Sequence, residues 1–267
     1  GNNIVAMASD AGALLVDCGD AAHAQDVLRS VGSKVQSVIN THWHTESTGG
    51  NDVMAKAGAK LVSHVNTQLW MTQEIIHDWA KKTYAPRAKE AMPSDTFYTN
   101  KRMTFAGEPI EVALMVQAHT DGDVYVHFTQ QNVVVAGDVL QPGRLPVLDF
   151  TTGGWWGGPA GDPRYGDTGS GILGAQRRLL QLGNDDTKFI PAIGPPQTRK
   201  EVEAQLAINT KLRDSLVALM KKGMGARDMI NAKATKDFPE LAGDPEQFLY
   251  TSYRALWAHV RELGGIV

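Results

Sequence analysis

The hydrophobic pattern of the first half of the chain predicts short strands that alternate with short helices. Apolar runs such as ALLVD and VQSVIN are typical of buried strands. Asp20 and Asn51 stand where they could cap the helices that follow these runs. Residues 66–82 are predicted to form one helix that begins at Asn66. From residue 95 to 136 the pattern changes to a succession of strands.

The second half is predicted to be mainly helical after a long loop. Residues 151–171 hold too many glycines for the interior of a helix or strand, so they predict a loop. Apolar positions at helical spacing predict a helix over 199–222, and a helical tail follows over 226–263. Neither an internal repeat nor a linker divides the sequence. We therefore expect one α/β domain over 1–267 with a helical C-terminal segment over 199–267.

Composition narrows the range of partners and ligands. The chain has 26 basic and 29 acidic side chains, a net charge of −3, and no basic stripe, so nucleic acid is not an expected partner. No stretch approaches the roughly 18–20 apolar residues that span a membrane. Cys18 is the only cysteine, which excludes an internal disulfide and a cysteine-based zinc site. Any bound metal must be held by histidines and carboxylates. The expected partner is a small-molecule substrate, and the sequence does not indicate an oligomeric state.

Histidines and carboxylates follow several of the predicted strands. His42 and His44 come directly after VQSVIN, at a strand end, where α/β proteins commonly place their chemistry. Two imidazoles separated by one residue can converge on one ion when the loop turns. Glu46 adds a carboxylate to the same turn. This loop, THWHTESTGGN, is a candidate metal-binding segment.

Two further candidates stand after later strands. His119, in QAHTDGD, and Asp138, in VVVAGDVL, are both compatible with metal binding. Each also has a purely structural interpretation: His119 as a turn histidine bonded to Asp121 or Asp123, and Asp138 as a turn residue after Gly137. The residues alone leave both interpretations open.

The order of these segments resembles the metallo-β-lactamase superfamily, and the resemblance extends over nearly the whole chain. It rests on the following segments, in chain order: LLVDCGD, THWHTESTGGN, AHTDGDVYVHF, AGDVL and IPAIGPP. The resemblance implies an αββα sandwich of two mixed sheets flanked by helices, with C-terminal helices beyond it. It also implies a metal centre at the loops that carry the histidines.

The resemblance assigns the first metal site to His42, His44 and His119, all of which match the family pattern. It places Asp17 as a supporting residue near the metal. His64, after the strand KLVSH, is a candidate for a similar supporting role, with a hydrogen-bonded turn histidine as the alternative. By contrast, His77 is predicted to lie on a helix away from the centre and has no assigned role.

The second metal site of the family is altered here. The positions that the family fills with Asp, His, Asp and His hold Glu46, Ser47, Asp138 and Ile193 in this chain. Ile193 offers no donor, and a serine hydroxyl is a far weaker ligand than imidazole. We therefore expect one metal ion, most simply zinc, with Asp138 as an additional ligand. The set of donors is also compatible with iron or manganese.

The resemblance implies a hydrolase in which metal-bound hydroxide attacks an ester, lactone, amide or β-lactam-like bond. Three neutral imidazoles and one open position form a complete catalytic zinc site, in which bound water has a pKa of about 7. Glu46 and Asp138 are the predicted catalytic carboxylates. The alternative for Glu46 is a drifted residue in an inactive second site. The alternative for the protein is a catalytically degenerate binding protein with the same fold, and a non-hydrolytic reaction with iron or manganese also stays open.

Two expectations concern the surroundings of the site. Trp155 and Trp156, in the glycine-rich loop, are candidates for an apolar wall or lid that contacts substrate, with anchoring of the loop to the core as the alternative. Arg144 and Arg164 are weaker candidates for contact with an anionic substrate group. Many members of the bacterial group that the chain resembles are exported. We therefore expect a periplasmic or secreted protein, although the N-terminal residues given show no signal peptide; the cytoplasm is the alternative.

Overall fold

A computed structural model describes residues 1–158 and 169–257 of the protein. Its strands, in chain order, are β1 Val5–Ser9, β2 Gly12–Val16, β3 Val35–Ile39, β4 Lys60–His64, β5 Ile75–His77, β6 Lys82–Tyr84, β7 Asp95–Phe97, β8 Asn100–Phe105, β9 Glu108–Leu114, β10 Val124–Phe128, β11 Val133–Gly137 and β12 Lys188–Pro191. Its α-helices are α1 Ala24–Val31, α2 Thr45–Thr48, α3 Asn51–Lys56, α4 Val65–Met71, α5 Gly171–Leu179, α6 Arg199–Lys221, α7 Ala226–Asn231 and α8 Pro245–Trp257.

Ten of these strands form two five-stranded mixed sheets, and β5 and β6 form a separate two-stranded sheet. The first sheet has the order β1-β2-β3-β4-β7, in which β1 and β2 are antiparallel and the other neighbours are parallel. The second sheet has the order β12-β11-β10-β9-β8, in which only β11 and β12 are parallel. This architecture of two mixed sheets with flanking helices confirms the predicted sandwich.

Alternation along the strands explains how the layers form. Leu14 on β2 packs with Val112 and Val126 of the second sheet, whereas its neighbour Leu15 packs on the opposite face, near Met54 of α3. Successive side chains of a strand point to opposite faces, so β2 contributes to both layers of the core. Every residue of β2 and of β10 is buried. In agreement with this burial, β2 is an interior strand of the first sheet and β10 is the central strand of the second.

The C-terminal helices cover the outer face of the second sheet. Helix α6 begins with a capping box in which Thr198 and Glu201 each bond the other's backbone amide. Its buried residues join a large cluster that also contains Trp156 and Phe248. Within the described ranges, no helix has both the length and the apolarity that are needed to cross a membrane.

The region predicted as one helix over 66–82 is different in the structure. Helix α4 ends at Met71, and the chain then forms a hairpin of β5 and β6 joined by a 3-10 turn at Asp78–Ala80. Ile75 is buried against Trp43 and Met71, and this tertiary packing overrides the helical pattern. The hairpin places His77 at the candidate site. The helix prediction is therefore confirmed as far as Met71 and wrong beyond it, and the predicted remote position of His77 was wrong as well.

Candidate metal centre

The candidate metal ligands come together at one edge of the sandwich. His42 and His44 follow β3, His119 follows β9, and Asp138 follows β11. One ring nitrogen from each histidine contributes to a group of atoms that all lie within 4.8 Å of one another. The ring centroids are 4.7 Å apart for His42 and His44, and 5.1 Å apart for His42 and His119. All three side chains are buried.

Hydrogen bonds outside the cluster indicate which nitrogen of each imidazole faces inward. His42 Nδ1 lies 3.1 Å from Thr41 Oγ1, His44 Nε2 lies 3.1 Å from a carboxylate oxygen of Asp149, and His119 Nδ1 lies 2.7 Å from the carbonyl oxygen of Val147. Each of these outer partners can accept a hydrogen bond from the ring nitrogen that faces it. Each ring therefore carries its proton on the outer nitrogen, which leaves a lone pair on the inner one.

The inner nitrogen of each ring carries no proton and therefore cannot donate a hydrogen bond. Among the residues that the structure describes, none forms a hydrogen bond with the buried His42 Nε2, although Asp138 Oδ2 lies 3.3 Å away. His44 Nδ1 faces His119 Nε2 at 3.1 Å, although neither atom has a proton to share in these tautomers. Lone pairs at this distance repel one another unless a cation lies between them. The three residues therefore fit a tetrahedral metal site with one position open.

Burial adjusts the protonation of the cluster. Burial, with contributions from His44 and His119, lowers the pKa of His42 well below its ordinary value. Burial also lowers the pKa of His44, even though Asp149 opposes this shift. For His119, burial lowers the pKa, but the carboxylates of Asp138 and Asp123 outweigh it and the net pKa is raised. His42 and His44 are thus held neutral, which is the form that binds metal.

Asp17 supports the loop that carries His42 and His44 through two hydrogen bonds to Thr41. Its two carboxylate oxygens accept hydrogen bonds from Thr41 N at 2.8 Å and from Thr41 Oγ1 at 2.7 Å. Because the Thr41 hydroxyl donates to Asp17, it can accept from His42 Nδ1, and this fixes the tautomer of His42. Gly137 packs against the same threonine: it has a φ of 56°, and a Cβ there would lie 2.9 Å from Thr41 Oγ1. Asp17 is thus connected to His42 through Thr41, which is compatible with the supporting role predicted for it.

The two predicted catalytic carboxylates flank the histidines. Asp138 Oδ2 lies 3.3 Å from His42 Nε2, and this side chain is 15% exposed. Glu46 is half-buried and accepts a hydrogen bond from Thr45 Oγ1 at 3.0 Å. Burial raises the pKa of Glu46, but His44 and Lys82 help to lower it below its ordinary value overall. Glu46 is therefore ionised at neutral pH.

The residues that replace the second-site ligands lie in unlike surroundings. Ser47 is fully buried in α2, whereas Ile193 is 41% exposed. Ile193 lines the cleft above the metal cluster. An apolar side chain thus stands where the resemblance predicts the last histidine of the family pattern.

The cleft has a volume of about 310 Å³ and opens over the histidines. The β5–β6 hairpin supplies one wall with Trp79, Lys82 and Tyr84, and the loop after β11 supplies Gln141 and Arg144 on the other. Lys82 Nζ lies 4.3 Å from the centre of the Tyr84 ring. The cleft therefore combines an aromatic wall with two cations.

Two residues of the centre, Asp149 and His77, were not predicted from the sequence. Asp149 and His77 are fully buried and form a second group with His44, in which the ligand atoms lie within 4.8 Å of one another. For Asp149 a local signal exists, because Asp-x-Thr after an apolar run predicts a side-chain-to-backbone turn, and Asp149 Oδ1 does accept from Thr151 N. For His77 the incorrect helix prediction concealed the residue.

Three other predictions require comment. Trp155 and Trp156 are buried in the core cluster and do not line the cleft, so their predicted contact with substrate is wrong and the anchoring alternative is favoured. His64 Nε2 lies 2.7 Å from the carbonyl oxygen of Tyr98, and His64 Nδ1 accepts from Asn66 N. This satisfies both ring nitrogens as a helix cap and leaves no supporting role at the metal. Arg164 lies outside the described residues.

Comparison with known families agrees with this geometry. A family model described as the metallo-beta-lactamase superfamily matches residues 1–194. The chain belongs to this superfamily. Membership together with the histidine cluster indicates a metal-dependent hydrolase.

Solved structures show the same fold. A metallo-beta-lactamase family protein from Thermus thermophilus, TTHA1429, is 18% identical over 98% of this chain and 89% of its own, with a TM-score of 0.68. A metallo-beta-lactamase from Pontibacter korlensis is 20% identical over 78% of this chain and 87% of its own, with a TM-score of 0.60. TTHA1623 in a di-iron-bound form is 20% identical over 77% of this chain and 93% of its own, with a TM-score of 0.52. At these identities the likeness concerns the fold alone.

Proposed function

We propose that the protein is a hydrolase that binds one zinc ion through His42, His44 and His119 and cleaves an ester, lactone, amide or β-lactam-like bond of a small molecule. The observation that carries this proposal is the set of three inward-facing nitrogens. Each belongs to a ring whose other nitrogen is hydrogen-bonded outside the cluster. When bound, the metal would acidify a water molecule and polarise the scissile carbonyl.

We expect the carboxylates of the cleft to orient the attacking water and to accept the proton that it releases. Glu46, ionised and facing the cleft, is placed to orient the attacking water and to accept its proton. Asp138, beside His42, is placed to accept a hydrogen bond on the opposite side or to contact the ion. Both roles require a free carboxylate oxygen close to the cluster.

A single metal ion is supported by the residues at the second site. Ser47 is enclosed in α2, and Ile193 presents a hydrocarbon surface to the cleft. Tight binding of a second ion would need replacements for both. Zinc is favoured by three imidazoles with an open position, although imidazole also suits iron. Because the structure of TTHA1623 is described as di-iron-bound, metal identity belongs to the test.

The cations of the cleft favour a substrate with an anionic group. Lys82 and Arg144 both line the cleft, and neither has a carboxylate partner within hydrogen-bond distance among the described residues. Arginine and lysine in such positions commonly recognise carboxylate or phosphate. A carboxylate on the substrate would reach them while its scissile bond lies over the histidines.

The proposal is tested by elemental analysis of protein never exposed to chelators, followed by assays on ester, lactone and β-lactam panels. We expect one zinc ion per chain, turnover of at least one class, and loss of both in His42→Ala. Metal retained in His42→Ala would refute the ligand assignment. No turnover by fully loaded protein would instead favour the second candidate, a non-catalytic binding protein, which the altered Ser47 and Ile193 positions suggest.

A further inference from the structure

A buried carboxylate lies between two imidazoles on the side of His44 that faces away from the metal cluster. Asp149 Oδ2 lies 3.1 Å from His44 Nε2, and Asp149 Oδ1 lies 3.1 Å from His77 Nε2. Asp149 and His77 are both fully buried. A charge removed from water in this way is costly unless nearby donors compensate it.

Further donors hold Asp149 in place. Thr152 Oγ1 donates to Asp149 Oδ2 at 2.5 Å, and Thr151 N donates to Asp149 Oδ1 at 3.1 Å. Thr152 Oγ1 also accepts from Trp43 Nε1 at 3.0 Å, and Trp43 stands between the two metal-loop histidines in the sequence. The carboxylate is therefore tied to the loop that carries His42 and His44.

The backbone around Asp149 is also bound to the loop of the third histidine. Asp149 N donates to the carbonyl oxygen of His119 at 2.9 Å. The absence of a side chain at Gly154 permits this close approach, because a Cβ there would lie 2.2 Å from the same carbonyl oxygen. The position of Asp149 is thus fixed relative to all three histidines.

We propose that Asp149 and His77 form a positioning pair for the metal centre. Asp149 accepts a hydrogen bond from His44 Nε2, and His77 Nε2 contacts the other carboxylate oxygen of Asp149 and keeps it in place. This inference rests on the proposed function, because it concerns the ligand that His44 would supply. The hydrogen bond from His44 Nε2 orients the ring so that Nδ1 faces the ion. It also fixes the tautomer that leaves a lone pair on Nδ1, and it makes Nδ1 a stronger ligand for the metal. Carboxylates that bond a metal-ligating histidine commonly act in this way.

A second metal between His44, His77 and Asp149 is the competing explanation for the same cluster. That ion would have to replace the proton on His44 Nε2, so that one imidazole would bridge two metals. It would also compete with the hydroxyl and amide protons that Thr152 and Thr151 already direct at Asp149. Hydrogen bonds from His44, Thr151 and Thr152, together with the close contact of His77 Nε2 at 3.1 Å, account for the surroundings of Asp149 without either cost.

His77 also connects the metal centre to the wall of the cleft. Its ring stacks on Trp79, with centroids 4.6 Å apart, and β5 pairs it with Lys82 of β6. The pair therefore links the ligand His44 to the hairpin that we expect to contact substrate. Loss of His77 should disturb the hairpin as well as Asp149, so it needs a control that separates the two effects.

The test is the zinc affinity of the full-length chain, measured by competition with a chromophoric chelator. We expect zinc to bind about 10–100-fold more weakly to Asp149→Asn, which keeps the shape but loses the charge. His77→Leu should show a smaller loss, and His77→Gln, which restores a donor, should recover most of it. The cobalt-loaded proteins add a spectroscopic readout, since a reoriented His44 alters the visible absorption bands.

Glu108→Gln is the matched control. Glu108 is a buried carboxylate that accepts from Gln130 N at 2.8 Å, and it lies on β9 outside the metal centre. Its loss should lower stability without changing zinc affinity or the cobalt spectrum. If Asp149→Asn does not fold, the comparison of His77→Leu with His77→Gln still decides, because equal affinities in these two variants would overturn the pair.

Three results would refute the positioning pair. They are an unchanged zinc affinity and cobalt spectrum in Asp149→Asn, a second metal in the wild type that His77→Leu loses, and no metal binding at all. The absence of metal binding would also refute the proposed function, whereas failure of the catalytic part of that proposal alone looks different. It would appear as absent turnover in loaded protein, while the affinity ratio between Asp149→Asn and the wild type would keep its expected value.

Discussion

The Nδ1 atom of His44 lies 3.1 Å from the Nε2 atom of His119, and the outer hydrogen bonds of both rings leave these atoms without protons. Such a contact is unfavourable between neutral imidazoles and favourable around a cation. The hydrogen bonds to Asp149 and Val147 hold the two rings in the orientation that an ion would need. Ligands held in this way lose little conformational entropy on binding, which supports high affinity.

This relationship makes the tautomers of the three histidines measurable. We expect nitrogen-15 NMR of the zinc-loaded protein to show His42 and His119 protonated on Nδ1 and His44 protonated on Nε2. The reason is that Thr41, Val147 and Asp149 each accept from the outer nitrogen. A His44 ring protonated on Nδ1 would contradict both the site and the positioning pair.

The sequence allowed the sandwich and the three histidines to be predicted because both follow local rules. Apolar runs such as β2 and β10 are too regular for any other role, and the family pattern places a ligand at each strand end. His77 was not predicted as a site residue because the hairpin that carries it has no glycine or asparagine at its turn, and the hairpin was therefore not recognised in the sequence. Lys81 takes the left-handed conformation there, with a φ of 51°. Trp155 and Trp156 were misplaced because only tertiary packing distinguishes an anchored indole from a mobile lid.

The contribution of Asp123 to the stability of the metal-free protein should fall as the pH rises from about 4 to about 7. Burial raises the pKa of Asp123 to about 7 from an ordinary value of 3.8. The folded state therefore keeps a proton on Asp123 that the unfolded chain releases in this interval, and the part of the free energy of unfolding that depends on Asp123 decreases until pH 7. The lowered pKa values of His42 and His44 act in the opposite direction, so the effect of Asp123 is measured as a difference between variants. The contribution of Asp123 is on the order of 2–4 kcal/mol.

Urea unfolding of chelator-treated protein at pH 5 and pH 8 checks this expectation. Asp123→Asn, which can still accept from Thr120 N, should reduce the difference between the two pH values. Asp52→Asn, at a position of intermediate exposure, should leave the difference unchanged. An equal pH dependence in the wild type and Asp123→Asn would show that Asp123 ionises normally in the folded protein.

A histidine at position 193 should create part of a second metal site. Ile193 is 41% exposed and lines the cleft, so Ile193→His can be accommodated without repacking. Together with Glu46 and Asp138, the new imidazole would offer three donors. We expect zinc content to rise above one ion per chain at high zinc concentrations, as measured by calorimetry. Leu69→His, at an exposed apolar position away from the cleft, is the control and should bind no additional ion.

The cations of the cleft should affect substrate binding more than the rate of the chemical step. Lys82→Met or Arg144→Met removes a charge that would contact an anionic group but leaves the metal cluster unchanged. Partly exposed ion pairs contribute up to about 1 kcal/mol, so we expect KM for an anionic substrate to rise up to about 5-fold. In Arg144→Met kcat should stay nearly constant, whereas Lys82→Met should also change kcat, because Lys82 helps to lower the pKa of Glu46. The neutral ester of the same substrate should show no change in KM. Lys81→Met, on the same hairpin but outside the cleft lining, separates a local charge effect from a general one. Equal effects on the anionic and neutral substrates would mean that these side chains shape the cleft without recognising charge.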